Sequence, residues 1–146
     1  MKKYFSAVLI IFIILTVTAC SADKPEVGSD AAGVDVDFTV LSGIVAYAKF
    51  NEVMSNPDDY IGKTIKLNGP YAVSPFQGGY YHFVLVEGAD ACCPEGIEFR
   101  LSGSHVYPDD YPPERTKIEF TGIFGSHEDF GYTYYYIMAD DITILE

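Results

Sequence analysis

Two segments of this chain follow one template. Pro57-Asp58-Asp59-Tyr60 leads into Ile65-x-Leu67-x-Gly69-x-Tyr71, and Pro108-Asp109-Asp110-Tyr111 leads into Ile118-x-Phe120-x-Gly122-x-Phe124. In each, an acidic turn precedes apolar residues alternating with polar ones, with a glycine in mid-run. Period-two alternation describes a half-buried strand. A glycine inside a strand marks a bend, a bulge or a close approach of another backbone. Strongly coiled strands bent at glycine are what a small closed barrel requires. The Asp-Asp pairs read as turn formers. No EF-hand spacing surrounds them, so calcium ligation is the weaker reading.

The remaining pattern agrees. Residues 80–86 form a strand of buried character, and Ile97, Phe99 and Leu101 alternate with Glu98 and Arg100. Residues 132–138 and 142–145 complete the set, with Gly, Pro and Asp in the breaks. One segment departs from period two. Over residues 46–55, Tyr47, Phe50, Val53 and Met54 fall on one helical face, and Asn56-Pro57 ends the helix. Residues 38–45 fit either a strand or the lead-in to that helix. Twelve Tyr and ten Phe supply core area in the absence of Trp. The fold expected is mainly β: a small closed or partly open OB-like β-barrel of about five to six strands with one short helix packed on it.

The first nineteen residues have a different character. Lys2 and Lys3 precede an apolar run over residues 7–17, and Val17-Thr18-Ala19-Cys20 follows. A basic start, a short apolar run and small residues before a break define a secretory signal. The run is shorter than the ~20 residues of a spanning helix. Val-Thr-Ala-Cys resembles the bacterial lipobox, which implies cleavage before Cys20 and acylation of that cysteine. Multiple acyl chains anchor a protein stably. Residues 21–37 are small, polar and acidic without sustained period, as in a flexible tether. The expected organisation is therefore a signal peptide over 1–19, a lipid-anchored linker over 20–37 and one barrel domain over 38–146. The expected location is the extracytoplasmic face of a bacterial membrane.

Loss of Lys2 and Lys3 with no acid would take the net charge from −12 to −14. Such a field repels nucleic-acid phosphates, whose binding depends on Lys and Arg displacing counterions. Cationic ligands and basic peptides are favoured instead, beside the plain reading of a soluble acidic surface.

After such processing Cys92 and Cys93 would be the remaining thiols, in Ala91-Cys92-Cys93-Pro94-Glu95-Gly96. Pro94 pushes Cys93 toward extended backbone, and Cys93 to Gly96 fits a type I turn with proline second and glycine fourth. Four readings compete. The two thiols are small apolar fillers. Or they form a vicinal disulfide, strained because adjacent Cα atoms lie only about 3.8 Å apart. Or they bind zinc or copper(I) as thiolates, with His82, Glu95 or Glu98 as further ligands. Or they carry redox chemistry, which needs a cation to lower a thiol's pKa; the near charges, Glu87, Asp90 and Glu95, have the wrong sign. His82 reads as a strand residue touching aromatic neighbours, whereas His105 and His127 fall in expected loops. Tyr132, Tyr134, Tyr135 and Tyr136 either line a groove on the barrel or divide between core and outer face. Nucleophile-elbow, phosphate-loop and His-Glu-x-x-His motifs are missing from the sequence.

Four motifs carry a family resemblance: Asn56-Pro-Asp-Asp-Tyr-Ile-Gly-Lys63, Leu67-Asn-Gly-Pro-Tyr71, Ala91-Cys-Cys-Pro-Glu-Gly-Ile-Glu-Phe99 and Asp109-Asp-Tyr-Pro112. Through them the chain resembles a group of uncharacterised bacterial lipoproteins with an OB-like domain. It is more distantly similar to the soluble region of a permease-subunit family that also has a paired-cysteine segment. The first resemblance implies the fold and the surface location, and the second hints at transport. The expected role is non-enzymatic: a binding or accessory module for a transition metal or a transporter component. A thiol–disulfide protein is the rival.

Overall fold

The structure is a computed structural model that describes residues 33–86 and 94–146. Its elements in chain order are β1 (Val36–Asp37), α1 (Gly43–Ser55), a 3-10 turn (Pro57–Asp59), β2 (Thr64–Phe76), β3 (Gly79–Val86), β4 (Glu95–Leu101), β5 (Lys117–Asp129), β6 (Tyr132–Ala139) and β7 (Thr143–Ile144). The sheet order is β1-β2-β3-β4-β6-β5-β7, and an added β2–β5 pairing turns the five long strands into a ring. The fold is the mainly β, OB-like barrel with one helix that the alternation predicts. All pairings in the ring are antiparallel except β4–β6.

The two template segments become the two longest strands, and both change partners at their glycines. β2 pairs with β5 over 64–70 and with β3 over 71–76. β5 pairs with β2 over 117–123 and with β6 over 122–129. A Cβ on Gly69 would collide with the Leu85 carbonyl oxygen, and one on Gly122 with that of Met138, leaving Ile137 Cγ2 only 2.6 Å away. The strands cross here at backbone-contact distance, which lets one strand belong to two neighbours. Two residues further on, Tyr71 and Phe124 turn fully inward. They join Ile65, Leu67, Val84, Phe99, Ile118 and Ile137 in the core.

The acidic turns act through their tyrosines. Tyr60 is buried, and its hydroxyl donates to Glu52 Oε1 at 2.9 Å while accepting from Lys49 Nζ at 2.8 Å, which ties α1 to the turn. Phe50 and Val53 of α1 enter the core. The helix ends where expected, with the Asn56 N–H donating to the Glu52 carbonyl, and begins three residues earlier, at Gly43. The ambiguous segment 38–45 thus resolves mainly into helix and its approach. β1 falls within the stretch expected to be tether. Val36 pairs in parallel with Ile65 and is buried. Two residues are too short a run to show a period. His127 lies in β5, not in a loop, because hairpin pairing with Tyr134 carries the strand to Asp129. The type I turn expected over 93–96 begins outside the described residues, and its third and fourth positions, Glu95 and Gly96, lie in β4, paired with Val86 and Leu85.

Beyond the ring, β2–β3 and β5–β6 continue as two hairpin arms. Each ends in a two-residue turn with positive φ at both positions: Gln77 (50°) and Gly78 (82°), then Phe130 (50°) and Gly131 (79°). That backbone is the primed turn that matches strand twist.

Adding one methyl at either crossing is expected to be costly. Gly69→Ala and Gly122→Ala should each lower unfolding free energy by roughly 3 kcal/mol or more, since main chain has to move. The exposed Thr121→Ser should stay within about 0.5 kcal/mol. Urea denaturation of the three variants checks this.

Candidate ligand-binding groove

His82 and Glu95 occupy opposite ends of the β3–β4 ladder. His82 pairs with Phe99, and Glu95 pairs with Val86. Four residues of strand separate them, about 13 Å, too far for one ion to reach both. The ligand set built on His82 and Glu95 together is therefore not brought together. Glu95 is exposed and accepts a hydrogen bond from the Tyr47 hydroxyl of α1 at 3.1 Å. Cys92 and Cys93, like the lipidation candidate Cys20, lie outside the described residues. Among the described residues no three His, Cys, Asp or Glu side chains gather as a metal site.

His82 instead anchors a loop. Its ring stacks on Tyr111 at 3.7 Å between centroids and 5° between planes, beside Phe99 and Tyr107. Burial raises the Tyr71 phenol far above its ordinary pKa and lowers that of His82. The Tyr71 hydroxyl and His82 Nδ1 share a hydrogen bond of 2.7 Å. Burial, with the nearby Asp110 charge second, also raises the Tyr111 phenol. Backbone bonds between Tyr71 and both Arg115 and Thr116 complete the attachment of the loop over 102–116 to the barrel.

The hairpin arms enclose a groove of about 470 Å³. Phe76, Tyr81 and Phe83 line it from the β2–β3 arm, and Asp129, Tyr134 and Tyr135 from the β5–β6 arm, with Gly96 and Glu98 of β4 between. Its size suits a small ligand. At the tips, Phe76 and Phe130 meet edge to face, 6.4 Å apart. Both rings are about half exposed or more (49% and 62%). A bulky residue at positive φ is a genuine backbone outlier, and such strain gathers at functional sites. Asn, Asp or Gly is the ordinary occupant of that position. Phe130 itself does not line the groove; it sets an aromatic ring against Phe76, which does, at the expense of its own turn.

A charged cluster stiffens the groove floor. Glu98 is 8% exposed and receives Arg100 Nε at 2.6 Å. The Arg100 guanidinium lies over the Tyr136 ring, 4.5 Å from its centre, and donates to His127 Nε2 at 3.0 Å. His127 in turn stacks on Tyr134. The chain of contacts Glu98–Arg100–His127–Tyr134 thus links β4 to the β5–β6 arm. The tyrosine run divides as alternation requires: Tyr132 and Tyr134 are exposed, Tyr136 packs under Arg100, and Tyr135 stacks on Phe124. The same run both fills core and lines the groove.

No protein-family model matches this chain, and no curated protein matches it.

Two outcomes follow from these contacts. Arg100→Met leaves Glu98 buried without its cation and should destabilise by about 2 kcal/mol, the Arg side being 35% exposed. Glu98→Leu/Arg100→Met should recover most of that loss in the same denaturation assay. For His82, the folded pKa lies below the unfolded value, so the unfolded chain binds more protons in that window. Its contribution is present above about pH 6.5 and is lost as pH falls toward the folded pKa. The denaturation midpoint of the wild type should therefore drop more between pH 7.5 and 5 than that of His82→Gln, with buffers matched for ionic strength.

Proposed function

We propose that this protein is a lipid-anchored binding module displayed on the extracytoplasmic side of a bacterial membrane, with the groove between the hairpin arms as its ligand site. The observation that carries the reading is the aromatic wall of the groove, Phe76, Tyr81, Phe83, Tyr134 and Tyr135, extended at the tip by Phe130, an exposed ring held against Phe76 at a φ of 50° that costs the turn. The closed ring beneath supports the arms, so the aromatic walls are set before a ligand arrives, which lowers the ordering cost of binding. The leader ending at Cys20 supplies the anchor. Service to a transporter fits a small-ligand module at that location. Transition-metal binding and thiol–disulfide exchange would both depend on Cys92 and Cys93.

Three measurements test the proposal. Radiolabelled palmitate should enter the wild type and not Cys20→Ser. In an NMR screen of small-molecule fragments, shifts should concentrate at Tyr81, Phe83, Glu98 and Tyr134, and Tyr134→Ala should weaken those hits about tenfold or more. Fragments distributed over other surfaces, indifferent to Tyr134→Ala, would refute the site. Phe130→Asn should raise unfolding free energy by about 1 kcal/mol while weakening the same hits.

A further inference from the structure

We infer that the groove selects a small organic cation of the alkylated or quaternary ammonium type. The inference rests on the groove being the ligand site and adds the class of ligand. Five aromatic rings line the groove: Phe76, Tyr81, Phe83, Tyr134 and Tyr135. Phe76 and Tyr81 meet at 74°, an edge-to-face contact. Aromatic faces carry negative quadrupole potential and attract cations that shed water easily.

The charge in the groove points the same way. Among the described residues no Lys or Arg lines it, and its carboxylates are Glu98 and Asp129. Arg100 neutralises Glu98. Asp129 is half-buried, and among the described residues its carboxylate has no hydrogen-bond or ion-pair partner. The groove therefore presents rings and one unspent negative charge, on a chain of net charge −12. A phosphate or carboxylate ligand would meet repulsion without a compensating cation. Calcium or magnesium would find one carboxylate where six or more oxygens are needed. A soft transition ion would find His127 already engaged by Arg100. An alkylammonium head satisfies both features at once: methyl groups against the rings, charge toward Asp129. At about 470 Å³ the space accommodates such a molecule whole.

The test uses choline chloride and the uncharged alcohol in which a quaternary carbon replaces choline's nitrogen, titrated separately into the protein and followed by NMR at constant ionic strength. Choline should produce saturable shifts at Tyr81, Phe83, Asp129 and Tyr134, with the alcohol binding roughly tenfold more weakly or worse. Asp129→Asn, shown by circular dichroism to be folded, should lose the preference for choline over the alcohol. Equal binding of both compounds in the groove would overturn the cation assignment while leaving the groove as the ligand site. No groove shifts with either compound would overturn both. A lysine-rich peptide binding more tightly than choline would overturn the small-ligand class.

Discussion

Two crossings of bare backbone hold this molecule in its shape. At Gly69 and Gly122 a strand passes so near the carbonyl of a neighbour that no side chain fits between them. That proximity allows β2 and β5 each to serve two partners in succession. Without the hand-over the sheet would remain open, and the rings of Tyr71, Phe99 and Phe124 would lack an enclosure. The hydrophobic effect supplies the drive to bury them. The two glycines decide that burial occurs inside a cylinder.

The same hand-over produces the groove. A strand that leaves one partner at its midpoint has a second half free to project with another, and the projecting halves are the two arms. The groove lies between arms whose bases are fixed in the ring, and the contacts from Glu98 through Arg100 and His127 to Tyr134 brace one of those arms against β4. Architecture and site thus share a cause. Among the described residues the groove sets no lysine or arginine opposite Asp129, and the proposed preference for a cation rests on that.

Much of the fold was legible because its carriers are periodic. Ile65, Leu67, Ile118 and Phe120 announce their strands by alternation, and the mid-strand glycines announce the bends. Tyr47, Phe50 and Val53 announce the helix face. β1 was not legible, since its place depends on the edge of β2 being open to Val36. His127 looked like a loop residue because Gly125 and Ser126 precede it; hairpin pairing outweighs that local composition. The groove was legible only in part. The tyrosine run signalled an aromatic surface, but Phe76, Phe83 and Asp129 come from distant segments that topology alone assembles. Phe130-Gly131 carries a readable hint, a large residue where a primed turn wants a small polar one. His82 and Glu95 looked like partners because residues 82 and 95 flank the cysteines. Antiparallel pairing sends them to opposite ends of a ladder.

The parallel edge strand sets an orientation. Val36 lies beside Ile65, near the start of β2, whereas Phe76 stands at its far end, a contour of roughly 40 Å for a thirteen-residue strand. The chain upstream of β1 therefore joins the cylinder near one rim, and the aromatic mouth opens by the other. The described chain thus begins by one rim of the cylinder and carries its aromatic mouth by the other, so the two features stand at opposite ends of the same strand.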